Sequence, residues 1–158
     1  MQRKHASRKT LVADAQEVAR VCAGLNIRLA ARRITRFLEA RMQKTGLSLA
    51  QFGLMAHVAA AGDDTIGALA ERSGLDQSTL SRNLRALERD GLVEIAVVEE
   101  DLRRRAVWLT ETGARRLETA IPAWRQAHKA LCGLIDPRHV RAVAARTAAL
   151  DAGENPEQ

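Results

Sequence analysis

The stretch TIGALAERSGLDQSTLSRNLRALERDGLVEIAVVEEDLRRRAVWLT, residues 65 to 110, decides the fold. Its first part, TIGALAERSG, places Ile66, Leu69 and Ala70 on one helical face and stops at Gly74, a residue suited to a helix end. The second part, DQSTLSRNLRALERDG, opens at Asp76, whose side chain can accept hydrogen bonds from free first-turn amides. Leu80, Leu84 and Leu87 recur at i, i+4 and i+7 as a buried stripe. At about 100° per residue, Ser78, Arg82, Arg85 and Arg89 point away from that stripe. A short helix with hydroxyls and then arginines on its open face fits a DNA major groove. Such side chains can read base edges, while other arginines and backbone amides hold phosphates. Gln77 and Ser81 complete the DNA-facing set on this helix.

The rest of the stretch reads as a wing. In LVEIAVV, Val93, Ile95 and Val97 alternate with Leu92, Glu94 and Ala96, the pattern of a half-buried strand. AVWLT is the return strand, with Val107 and Leu109 on one face and Trp108 on the other. EEDLRRR, residues 99–105, holds no Gly or Asn, so a longer loop is expected and not a two-residue turn. Alone, Arg103, Arg104 and Arg105 read as a solvated charge cluster. Beside a recognition helix they read as a hairpin tip that reaches a neighbouring minor groove. Asp101 would repel phosphate, and its expected role is to orient Arg103 or Arg105 by a charge-assisted hydrogen bond.

The chain of 158 residues carries a net charge of +6 and a pI near 10.3. Its length suits one compact core, or a small domain with extra helices. The basic balance favours an anionic partner such as nucleic acid. A membrane surface fits less well, because the charges are spread along the chain. No run approaches the ~18 apolar residues of a bilayer span. The basic MQRKHASRKT is followed by VADAQEVAR and not by an apolar segment, so no signal peptide is read. Two cysteines make no disulfide framework. The expectation is a soluble, cytoplasmic protein, mainly α-helical with one small hairpin.

Upstream, DAQEVARVCAGLNIRLAARRITRFLEARMQ, residues 14–43, reads as one long helix. Val18, Val21, Cys22, Leu25, Leu29, Ile34, Phe37, Leu38 and Met42 form its apolar band. Gly46 ends the pattern, and Ser48 caps the next helix, SLAQFGLMAHVAAAG. Downstream, Thr110 caps a helix in which Pro122 removes one amide, so a kink is expected near Ala120 and Ile121. Pro137 opens a last helix carrying Val140, Val143, Ala144 and Leu150. The expected division is a basic tail over 1–13, dimerisation helices over 14–47 and 111–151, a winged helix over 48–110, and a frayed tail over 152–158. Monomers rarely leave a long apolar stripe open, so a homodimer is expected, with two recognition helices about one DNA turn apart.

In this arrangement the chain resembles the multiple antibiotic resistance regulator (MarR) family. GLSLAQFGLM (46–55), TIGALAERSGLDQSTLSRNLRALERDGLV (65–93), and the signature of Asp101, Arg103 and Leu109 to Gly113 carry the resemblance. VCAGLNIRLAARRITRFLEA is similar to the first helix of a branch that often carries Cys-x-Cys, with Cys22 matching and Gly24 replacing the second cysteine. The resemblance implies a dimeric winged helix-turn-helix regulator, usually a repressor, whose DNA affinity falls on sensing a small phenolic or aromatic ligand, or an oxidant. By position, Ser78, Thr79 and Arg82 match the base-contacting part, and Asp101 and Arg103 match the wing pair. Leu102 departs from the usual Arg between them. The resemblance also implies an effector cleft, for which Phe52, Met55, His57 and Trp124 are the side chains of interest; each also reads as plain core.

Cys22 is the alternative sensor, a redox switch, set against its reading as a small hydrophobe on the apolar stripe. His128 and Cys132 share a helical face, half of a transition-metal site, but spacing supplies no third ligand, so no metal or cofactor is expected. An enzyme is not indicated. No Gly-rich phosphate loop, nucleophile elbow, His-Glu metal helix or paired acidic motif occurs. A winged helix used only for protein contacts would carry a more aromatic face.

Overall fold

The computed structural model describes residues 2–61, 64–98 and 101–151, and the side chains of 10–61, 65–97, 105–148 and 150. In chain order the helices are α1 (Gln2–Val21), α2 (Ala23–Met42), α3 (Leu49–Ala61), α4 (Ile66–Ser73), α5 (Gln77–Arg89), α6 (Glu111–Cys132) and α7 (Pro137–Asp151). A 3-10 turn, Gln43–Thr45, follows α2. Strands β1 (Asp64–Thr65), β2 (Val93–Val98) and β3 (Asp101–Leu109) form one antiparallel sheet in the order β1-β3-β2. Two compact units divide the chain, Met1–Phe37 and Leu38–Gln158.

In the first unit, the expected single helix is two. α1 begins at Gln2, inside the segment read as a basic tail. No Gly or Pro lies between residues 2 and 21, and Arg, Lys, Gln and Ala all favour helix. Cys22 separates α1 from α2. The Asn26 side-chain amide donates to the carbonyls of Arg20 (3.0 Å) and Cys22 (3.1 Å), offering the backbone a local alternative to a regular helix. Gly24, weak in helix interiors, lies two residues on.

The second unit holds the winged helix. Ser48 and Gln51 cap α3 reciprocally. The Gln51 amide donates to Ser48 Oγ (3.1 Å) and the Ser48 amide to Gln51 Oε1 (3.0 Å). Thr65 Oγ1 accepts from the Ala68 amide to start α4, which ends at left-handed Gly74, φ 63°. Leu69 of α4, Leu80, Leu84 and Leu87 of α5, Met42, Met55 and Val107 are fully buried together. The helical stripes read from the sequence are therefore the core that fixes how α5 is presented.

The sheet departs from the expectation in two ways. β1 adds a third strand, pairing Asp64 with Val107 and Thr65 with Ala106. Two residues carry no readable alternation, which is why only 92–109 looked like strand. Also, Val98 pairs with Asp101, so the expected long loop 99–105 shrinks to residues 99 and 100, which lie outside the described residues. A register shift between Val97 (opposite Arg105) and Val98 (opposite Asp101) absorbs the extra residues within β3. On the open face Trp108 Nε1 donates to Glu94 Oε2 across the strands (3.0 Å).

The base of the wing is clamped to α6. Thr110 donates from its amide to Leu92 O (3.2 Å) and from Oγ1 to Gly91 O (2.7 Å), while Oγ1 accepts from the Gly113 amide (2.9 Å). α6 continues through Pro122 as far as Cys132. Arg116 of α6 donates to Thr45 O (3.2 Å), tying the helix to the 3-10 turn.

Candidate nucleic-acid interface

The open face of α5 is built from its N-terminal cap. Asp76 stands outside the helix with extended backbone (ψ 151°), and its carboxylate reaches back over the first turn. Oδ1 accepts from the Thr79 amide (2.9 Å) and from Ser78 Oγ (2.6 Å); Oδ2 accepts from Thr79 Oγ1 (2.7 Å). These hydrogen bonds, the Ser78 hydroxyl foremost, hold the Asp76 carboxyl far below the usual aspartate range. Arg82 Nη2 lies 3.5 Å from Thr79 Oγ1, so one polar chain runs from Asp76 through Thr79 to Arg82.

Gln77, Ser78, Arg82, Arg85 and Arg89 are exposed, and Thr79 and Ser81 are half-buried. Ser78, Arg82, Arg85 and Arg89 share the face opposite the buried leucines, with Gln77, Thr79 and Ser81 on its flanks. Between this helix, the start of α4 and the wing strands lies a concave groove of about 580 Å³. Gln77, Ser81, Arg85 and Glu88 of α5 line one side, and Ile95 and Arg105 of the wing line the other. Arg85 and Arg105 outnumber the one carboxylate, Glu88, so the groove favours an anion such as a DNA strand. Arg105 is exposed on β3. The side chains of Asp101, Arg103 and Arg104, the remaining wing candidates, lie outside the described residues, as does the expected orienting role of Asp101.

Sequence reasoning took Asp76 only as a cap and passed over its hold on two hydroxyls. The signal was present in the spacing, since an N-cap carboxylate reaches groups two and three residues on. Glu88 and the start of α4 were also missed as groove walls, because α4 contributes through its position and not through charge.

The candidate effector residues separate. Phe52 and Trp124 meet, their ring centroids 5.8 Å apart and planes 27° apart, and Trp124 stacks in turn on His128 at 5.1 Å and 15°. Met55 is fully buried core, and His57 is exposed on α3. His128 Nε2 lies 3.5 Å from Cys132 Sγ. Among the described residues no group of three or more His, Cys, Asp or Glu could hold a metal ion. Cys22 is half-buried at the α1–α2 junction. No helix among the described residues is long and apolar enough to cross a membrane.

The sequence profile of the MarR family matches residues 45–104, the segment that builds α3, α4, α5 and most of the wing. None of the curated proteins matches the chain in sequence. Among solved structures, the Mycobacterium tuberculosis transcriptional regulator MosR in complex with DNA is 31% identical, with a TM-score of 0.77 over 85% of this chain and 99% of that one. A cysteine-to-serine variant of Escherichia coli MarR complexed with operator DNA is 22% identical, with a TM-score of 0.71 over 84% and 96% of the two chains. Bordetella bronchiseptica BpsR, described with regulation of its DNA binding by 6-hydroxynicotinic acid, is 20% identical, with a TM-score of 0.70 over 83% and 94%. The exposed hydroxyl and arginine face of α5, the basic groove beside it, the matched profile and the MosR likeness converge: the chain belongs to the MarR family of winged-helix, DNA-binding transcription regulators, which are not enzymes.

Proposed function

We propose that this regulator works in the cytoplasm as a homodimer that represses transcription from a pseudo-palindromic operator, and that a small aromatic or phenolic effector lowers its DNA affinity. The carrying observation is apolar surface left open on a single chain. Leu11, Val12, Val18 and Val21 of α1, Leu25, Ile27 and Leu29 of α2, and Val140, Val143 and Leu150 of α7 are all exposed. A second copy that covers these stripes removes them from water and gives the two-fold symmetry an inverted repeat requires. Each subunit would set α5 in the major groove and the wing tip in the minor groove. Gln77, Ser78, Thr79, Ser81, Arg82, Arg85 and Arg89 then face DNA from the helix, and Asp101, Arg103, Arg104 and Arg105 from the wing.

The effector reading is supported by the Phe52–Trp124–His128 stack, an aromatic cluster in which Trp124 and His128 are half-buried. BpsR, a structural neighbour, is described as regulated by an aromatic acid. The joint at Cys22 supports a second reading, an oxidant sensor. Titrating the protein–operator complex separates them. A phenolic acid that releases DNA from wild type and not from Trp124→Ala supports the ligand reading. Peroxide that releases wild type and not Cys22→Ser supports the second. Release by neither contradicts both. Selection of duplexes from a random library tests the operator claim, and enriched sequences lacking two-fold symmetry would overturn it.

A further inference from the structure

We infer that Asp76 fixes the Ser78 and Thr79 hydroxyls as hydrogen-bond acceptors toward DNA, so that the start of α5 selects base pairs by an exocyclic amine, adenine N6 or cytosine N4. The inference rests on α5 being the helix that faces bases.

The geometry leaves each hydroxyl one arrangement. A carboxylate oxygen cannot donate, so the proton in the 2.6 Å contact between Ser78 Oγ and Asp76 Oδ1 lies on Ser78. The 2.7 Å contact between Thr79 Oγ1 and Oδ2 places the Thr79 proton in the same way. Asp76 stays ionised through the physiological range because three donors converge on it. A hydroxyl normally reads donors and acceptors alike by turning its hydrogen. Here that freedom is spent, and only lone pairs face outward. Ser78 keeps both; Thr79 keeps one beside the Arg82 contact at 3.5 Å. Turning either hydrogen toward guanine O6, guanine N7 or thymine O4 would break a short, charge-assisted bond. In the major groove the remaining match is an amine donor. Asp76 is thus a positioning residue. It touches no base, and its charge keeps phosphate away from the first turn, so the hydroxyls are directed to base edges.

The test compares duplex selection by wild type, Ser78→Ala and Asp76→Asn. Ser78→Ala identifies the base pair that Ser78 reads, as the position whose preference relaxes. Every Watson–Crick pair offers one exocyclic amine in the major groove, so the amine is removed from the selected pair, purine replacing an adenine and 2-pyrimidinone a cytosine. Its removal is expected to weaken wild-type binding roughly fivefold to tenfold, in keeping with one lost hydrogen bond, and to leave Ser78→Ala unchanged. Asn caps helices as well as Asp does, so Asp76→Asn is expected to keep its thermal melt. Its amide can donate to one hydroxyl and turn that hydrogen outward, which is expected to change the selected pair and to remove the dependence on the amine. Wild-type binding that is unchanged when the amine of the selected pair is removed overturns the inference and leaves α5 as the reading helix. Uniform weakening by Asp76→Asn with no change of preference overturns it as well. Failure of Ser78→Ala, Arg82→Ala and Asp76→Asn to alter any selected position overturns the placement of α5 itself.

Discussion

Gly113 occupies the third position of α6, where an added Cβ would stand 2.8 Å from the Leu92 carbonyl carbon and closer still to its oxygen. The contact is backbone on backbone, so neither side can turn away. Gly113→Ala is expected to destabilise the fold by about 1–3 kcal/mol through overpacking, read from urea unfolding. Gly53 in α3 is the control. A Cβ there meets nothing within 4 Å, and Gly53→Ala is expected to stabilise by about 0.5–1 kcal/mol. Asp76 and Asp136 are the carboxylates to follow in acid. Asp76 is lowered by the Ser78 and Thr79 hydroxyls, and Asp136 by the Arg138 guanidinium and amide. Lowered groups of this sign stabilise the folded state fully above the ordinary aspartate value of 3.8, and that contribution is lost as pH falls below it. Ellipticity followed from pH 6 to pH 2 is expected to fall later in Asp76→Ala than in wild type once the two are normalised to their neutral-pH stability. Identical acid profiles would remove Asp76 from the account.

At the scale of the element, caps and stripes were the legible part. Ser48, Asp76 and Thr110 all start helices as their residue type and position suggest. Leu80, Leu84 and Leu87 are buried as their spacing demands. Less legible were features set by partners distant in sequence. β1 exists because Asp64 and Thr65 meet Val107 and Ala106, and two residues cannot announce that. The wing was read as a long loop because residues 99–105 hold no Gly or Asn for a tight turn, whereas the register shift keeps the backbone of Arg103 to Arg105 in β3. The joint at Cys22 depends on Asn26 reaching back to two carbonyls. On α5, Leu84→Ala is expected to cost about 2–5 kcal/mol of stability, since its side chain is fully buried. Arg82→Ala is expected to keep stability, to lose about 1–3 kcal/mol of operator affinity and to relax sequence preference. Arg105→Ala, on the groove's other wall, is expected to weaken specific and random duplexes alike and to reduce the salt slope by about one. Equal effects of Arg82→Ala and Arg105→Ala on specificity would exchange or merge their roles.

For the whole molecule, composition spoke clearly about charge and only indirectly about assembly. A net charge of +6 is consistent with DNA as partner, while the exposed residues of α1, α2 and α7 argue for a second copy. Leu25→Glu, which puts charge on an exposed apolar position of α2, is expected to turn the dimer into monomer by sedimentation and to weaken operator binding far more than binding to random duplex. The central claim is that two copies read one inverted repeat, each through α5 and its wing. Duplexes selected from a random library, then titrated with the protein over a range of salt with the stoichiometry counted, test it most directly. The account predicts two chains per duplex, half-site centres one helical turn or a multiple of it apart, roughly 34–36 Å per turn, and affinity that falls steeply as salt rises. One chain per duplex on a sequence without symmetry, or affinity indifferent to salt, would contradict it.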